Sequence, residues 1–94
     1  GRTAVFVRDG CAPCAQVVQR LQTAGAEFDL YLVGSRQDDT RIRAWARQAQ
    51  IDPARVRSGS ITLNHDGGRW LALGLPGELP AVVRQVNGQW QRQP

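Results

Sequence analysis

The sequence predicts an α/β domain built on a mixed β-sheet, and three observations lead there. Thr3-Ala-Val-Phe-Val7 is an uninterrupted β-prone run, the pattern of a strand buried on both faces. Two stretches with apolar residues at helical spacing follow it, separated by a second strand-like run. Near the end, Asn87-Gly88 lies between two β-prone segments, the strongest short hairpin signal in the chain. Strand, helix and strand with short links imply a right-handed parallel crossover, whereas the Asn-Gly pair implies an antiparallel terminal hairpin.

The first strand stops at Arg8-Asp9-Gly10, a turn. After Pro13, apolar residues fall at Cys14, Val17, Val18 and Leu21, one buried helical stripe, and Gly25 stands where that helix ends. Phe28, Leu30 and Leu32 alternate with Asp29, Tyr31 and Val33 in a second strand closed by Gly34. Ser35-Arg-Gln-Asp38 reads as a helix start. Ile42, Trp45, Ala46 and Ala49 then form a buried face, with Arg41, Arg43 and Arg47 turned outward. Asp52-Pro53 predicts a capped short turn over Pro53 to Val56, followed by a loop from Arg57 to Ser60. Ile61-Thr-Leu63 and Trp70-Leu-Ala-Leu73, flanking Asn64-His-Asp-Gly-Gly-Arg69, predict an edge hairpin, and Ala81–Val86 with Gln89–Arg92 predict the terminal one.

With 94 residues, 41% hydrophobic and 21% charged, the chain is expected to form a single domain over residues 1–94. Folding is expected to bury roughly 60–65% of the extended chain's surface. No apolar run approaches the roughly 18 residues of a membrane span. Without any Met the chain reads as a fragment of a longer protein, and no leader pattern precedes the first strand. The net charge is +4, and all twelve basic residues are Arg. Arg36, Arg41, Arg43, Arg47, Arg55 and Arg57 gather on or after the second helix and read as a solvated face. Nucleic-acid binding is disfavoured, because Trp45 falls on the buried side of that stripe instead of beside it. Trp70 and Trp90 are expected to fasten sheet faces from within hairpins.

The two cysteines, Cys11 and Cys14, enclose Ala12 and Pro13. A loop that short stabilises little as a staple, so the pair points to chemistry. A thiol attacks a disulfide as the thiolate, which needs a lowered pKa and access. Cys11, between a buried strand and the first turn of a helix, has the position for both, since unpaired N–H groups and the helix dipole favour an anion there. Pro13 suits the first turn, where its missing N–H has no helical partner. Cys14 lies on the apolar stripe and is placed to resolve a mixed disulfide formed at Cys11. Weaker alternatives are a structural staple, half a zinc site with His65 as a further ligand, and a copper-carrying domain. Asp9 opposes thiolate formation and Arg8 favours it.

A Cys-x-x-Cys after a strand, opening a helix within a βαβ unit, resembles the thioredoxin superfamily over nearly the whole chain. The resemblance implies a thioredoxin-like sandwich, a central mixed β-sheet flanked by helices, with Ile61 to Leu73 as an inserted hairpin and without the usual C-terminal helix. It also implies that Pro80 is cis and faces the cysteines; Pro53 competes for that role but is not followed by a hairpin strand. Leu79, just before it, would pair with a substrate backbone by short β-addition. Gly10 stands where thioredoxins usually carry Trp, and Val5 replaces a buried acid.

The stretches Phe6-Val-Arg-Asp9, Phe28–Asp39, Ile42-Arg-Ala-Trp-Ala46, Ile61–Trp70 and Gln89-Trp-Gln-Arg92 further resemble the C-terminal part of a family of integrating conjugative element proteins. That resemblance implies a bacterial, periplasmic setting beside a type IV secretion or conjugation apparatus. The expected function is thiol–disulfide exchange on protein thiols or disulfides, with no cofactor beyond the redox-active dithiol. The rival is a non-catalytic interaction module of the same apparatus.

Overall fold

The computed structural model describes residues 1–94. Five strands form one mixed sheet in the order β3-β2-β1-β4-β5, comprising β1 (Thr3–Arg8), β2 (Phe28–Val33), β3 (Ile61–His65), β4 (Ala81–Val86) and β5 (Gln89–Arg92). The first three are mutually parallel, with Val5 opposite Leu30 and Leu30 opposite Leu63. Strand β4 runs antiparallel to β1, with Phe6 opposite Ala81, and β5 returns antiparallel to β4. The parallel crossover and the Asn-Gly hairpin therefore stand as expected, with Asn87 and Gly88 both at positive φ, 52° and 79°.

The two-residue side-chain period divides the sheet into two cores. Val5, Val7, Phe28, Leu30, Leu32 and Ile61 face the helices α1 (Ala12–Thr23) and α2 (Asp39–Gln48), which bury Cys14 and Val18, and Ile42, Trp45 and Ala46. Val56 of α3 (Pro53–Ser58) packs on the same side. On the other face Ala4, Phe6, Ala81 and Val83 form a smaller core, joined by Tyr31, Trp70 and Leu73. The central strand β1 is thus covered on both sides, the reason its sequence is continuously apolar.

Helix α1 begins at Cys11 as N-cap and closes with Ala24 as C-cap and Gly25 at φ 72°. Two boundaries differ from expectation. Helix α2 is capped by Asp38, whose carboxylate accepts from the Thr40 N–H at 3.0 Å; Ser35 is instead buried and bonded to His65. Helix α3 runs past Val56 to Ser58 and ends on Gly59 in the left-handed conformation, φ 83°.

The largest correction concerns the edge hairpin expected over Ile61 to Leu73. Strand β3 is present, but it pairs parallel to β2, and the second half forms the short helix α4 (Arg69–Leu73). Buried Asp66 is the cause: its carboxylate accepts from the N–H groups of Gly68 at 3.0 Å and Trp70 at 2.9 Å, folding Gly67-Gly68 into a helix start. Trp70 then reaches the second sheet face, 5.3 Å from the Phe6 ring centroid, so it anchors a helix instead of a hairpin.

Candidate active site around Cys11 and Cys14

The site is built where β1 ends. Gly10 takes φ 67°, a left-handed conformation that reverses the chain and delivers Cys11 to the start of α1. Cys11 adopts an extended conformation, φ −124° and ψ 92°, and its carbonyl accepts the Cys14 N–H at 3.0 Å. Ala12 and Pro13 complete the first turn, which contains no acidic side chain to offset the N-terminal field of the helix from within it.

The two cysteines are joined as a disulfide, with Cα atoms 5.3 Å apart. Their surroundings differ. Cys14 is fully buried in the core against the sheet, whereas Cys11 keeps 9% of its surface and lines a groove of ≈ 370 Å³ between α1 and α2. Ala12, Ala15, Trp45, Gln48 and Ala49 form the rest of that groove, and no formal charge lines it. The asymmetry is of the kind sequential exchange uses, one cysteine lining a groove and the other sheltered behind it.

Trp45 has a polar task that its apolar spacing did not reveal. Its indole N–H donates to the Arg8 carbonyl at 3.2 Å, fastening α2 to the turn that carries the cysteines. Around that turn the Arg8 guanidinium donates to the Asp9 carbonyl at 3.1 Å, and Arg41 pairs with the Asp9 carboxylate at 3.9 Å. Arg41 thereby offsets the one nearby negative charge that would oppose a thiolate.

The Leu79–Pro80 peptide is cis, as the resemblance implied. Pro80 leads directly into β4, and continuing the β1–β4 register by one step sets it beside Val7, at the end of β1 from which the cysteines depart. Leu79 packs against the core cluster that contains both cysteines. Its own amide and carbonyl take no partner within the chain, leaving a free backbone edge. Arg92 supports the loop, donating to the carbonyls of Pro76 at 3.2 Å, Glu78 at 2.9 Å and Pro80 at 3.3 Å. Sequence reasoning missed this clamp, since an Arg on an exposed hairpin strand carries no signal of its own.

His65 lies elsewhere. Its Nδ1 is 2.5 Å from the Ser35 hydroxyl and its Nε2 is 2.7 Å from Asp39 Oδ1, an arrangement that ties the end of β3 to the start of α2. The hydrogen bond from His65 is the main reason the Asp39 carboxyl is held below its ordinary pKa of 3.8. No group of three His, Cys, Asp or Glu side chains is arranged to hold a metal ion, and no helix is long and apolar enough to cross a membrane. The Arg-rich face is partly structural: Arg55 donates to the Ala26 carbonyl and to Ser60 Oγ, joining α3 to the loops beside it.

Comparison of the chain with family models, curated proteins and solved structures found no match.

Proposed function

We propose that this domain is a thioredoxin-like thiol–disulfide oxidoreductase, working through Cys11 and Cys14. The observation that carries this is the asymmetric pair: Cys11, which keeps 9% of its surface and lines a groove at the N-cap of α1, and Cys14, fully buried a single turn later in the core cluster against which Leu79 packs. In the reduced state the Cys11 thiolate attacks a substrate disulfide, forming a mixed disulfide and releasing one substrate thiolate. Cys14 then attacks the Cys11 sulfur, closes the Cys11–Cys14 disulfide and releases the second substrate thiolate. Two electrons pass from the pair to the substrate, and the reverse sequence oxidises a dithiol. The field of the α1 N-terminus and the absence of a first-turn acid favour the Cys11 thiolate. Leu79 offers its backbone to an extended substrate segment, and Pro80 leaves that edge open. The resemblance to conjugative element proteins supports substrates among the envelope proteins of a type IV secretion apparatus in the periplasm.

A second reading is a docking module in which the disulfide only stiffens the β1–α1 turn, and the small exposed fraction of Cys11 favours it. Insulin reduction and reactivation of a scrambled disulfide protein separate the two. Exchange in the wild type that is lost in Cys11→Ser supports catalysis, whereas equal rates in wild type and Cys11→Ser remove it. The reduction potential of the pair then assigns the direction of transfer. The docking reading predicts that a double Cys→Ser variant still captures its partner; loss of capture counts against it.

A further inference from the structure

The sheet face away from the cysteines carries a second concave site. The five-residue helix α4 covers only part of that face, and beside it opens a groove of ≈ 280 Å³. Ala4, Phe6 and Tyr31 form its floor, while Ala72, Leu73 and Trp90 form its walls. Phe6 and Tyr31 stack face to face with ring centroids 5.1 Å apart, Phe6 itself is buried, and Trp90 is 39% exposed at one side. A cavity of about 150 Å³ already accepts benzene when its lining is apolar, so this volume has room for one ring and a short substituent.

The charges at the mouth select the sign of that substituent. Arg2, Asp29 and Arg69 line it. Asp29 is paired in charge with Arg2, its Oδ1 accepting from Arg2 Nε at 3.0 Å and from the Thr62 hydroxyl at 2.7 Å. Arg2 Nη2 in turn donates to the carbonyls of Phe28, Gly59 and Ser60, which holds that guanidinium against Asp29 and the backbone beside it. Arg69 differs. Its guanidinium lies 5.4 Å from the Tyr31 ring centroid and makes no hydrogen bond or ion pair. The unneutralised charge at the mouth is therefore a cation able to grip a carboxylate in bidentate fashion. The Tyr31 hydroxyl, likewise without a hydrogen-bond partner, adds a neutral donor. We propose that this groove binds a small aromatic monocarboxylate, its ring among Tyr31, Leu73 and Trp90 and its carboxylate on Arg69. This site is independent of the Cys11–Cys14 chemistry.

The test is an NMR titration of isotope-labelled protein with phenylacetate, compared with acetate and with 2-phenylethylamine. Phenylacetate should shift the Ala4, Phe6, Tyr31 and Ala72 amides and the Trp90 indole N–H saturably, with Kd on the order of 1 mM. Acetate lacks the ring and phenylethylamine carries the wrong sign, so each should bind at least about tenfold more weakly. Arg69→Gln should weaken phenylacetate about fivefold, the loss expected of one exposed charge pair. Ala72→Phe, a change at an exposed position, should fill the groove and abolish the shifts while leaving the fold's spectrum intact. Equal binding of phenylethylamine, unchanged affinity in Arg69→Gln, or shifts scattered away from these residues would overturn the proposal. So would saturation by an Asp-Phe-Asp peptide without any response to phenylacetate, which would assign the groove to an acidic protein segment.

Discussion

Replacing Arg92 by Met tests whether a side chain on β5 holds the loop that borders the proposed active site. Arg92 makes three hydrogen bonds, to the carbonyls of Pro76, Glu78 and Pro80, and its guanidinium lies 5.8 Å from the Trp70 ring centroid. Because the side chain is exposed, water replaces part of what is lost, and each bond is worth about 0.5 kcal/mol, the low end for an intramolecular hydrogen bond. An exposed cation–π contact adds about 0.5 kcal/mol. Together these give a destabilisation of about 1.5–2 kcal/mol, or a fall in Tm of about 8–14 °C for a domain of this size. Met keeps much of the aliphatic stem, so the loss reports the guanidinium rather than packing. The freed loop should also disorder the Leu79 edge, lowering disulfide exchange about fivefold or more at a temperature where the variant is folded. Arg92→Lys should recover little, because a single ammonium has no fork to span three carbonyls. The measurements are calorimetric Tm and the insulin-reduction rate. A Tm within about 2 °C of the wild type, with an unchanged rate, would show that the clamp holds nothing.

Gly10→Ala should cost about 1–2 kcal/mol from its left-handed φ of 67° alone, since an added Cβ meets no atom within 4 Å; a denaturant midpoint equal to the wild type's would contradict it. Asp66→Ala should destabilise by about 2–4 kcal/mol, because it orphans the Gly68 and Trp70 N–H groups together, and α4 amides should lose hydrogen-exchange protection. Asp39, whose folded pKa is depressed chiefly by its hydrogen bond to His65, stabilises the fold above the carboxylate's ordinary 3.8 and loses that contribution as pH falls through the lower folded value. The gap in urea midpoint between wild type and Asp39→Asn should therefore close on acidification below 3.8, and a gap independent of pH there would sink the assignment. Trp45→Phe keeps the buried ring but removes the donor to Arg8, so it should speed alkylation of reduced Cys11 with only a modest change in stability; identical alkylation kinetics would show the indole N–H to be idle.

Strand β1, the helices α1 and α2 with their buried faces, the parallel crossover, the terminal Asn-Gly hairpin and the Cys-x-x-Cys at a helix start were all legible in the residues alone. These follow from contacts within a few residues: side-chain period, helix-start chemistry and turn residues act locally, so Val17, Val18 and Leu21 announce their common face without knowing what they will meet. Features whose partners are distant along the chain were set by long-range packing. Asn64 to Arg69 has the composition of a hairpin turn, yet Asp66 is buried by the fold and turns its carboxylate onto the N–H groups of Gly68 and Trp70, giving a helix. Ser35, expected to open α2, meets His65 across the sheet instead. The clamp from Arg92, the bond from Trp45 to Arg8 and the narrow exposure of Cys11 likewise depend on which elements the sheet order makes neighbours. Local chemistry names the group that can donate, accept or react; burial and long-range pairing choose what it faces.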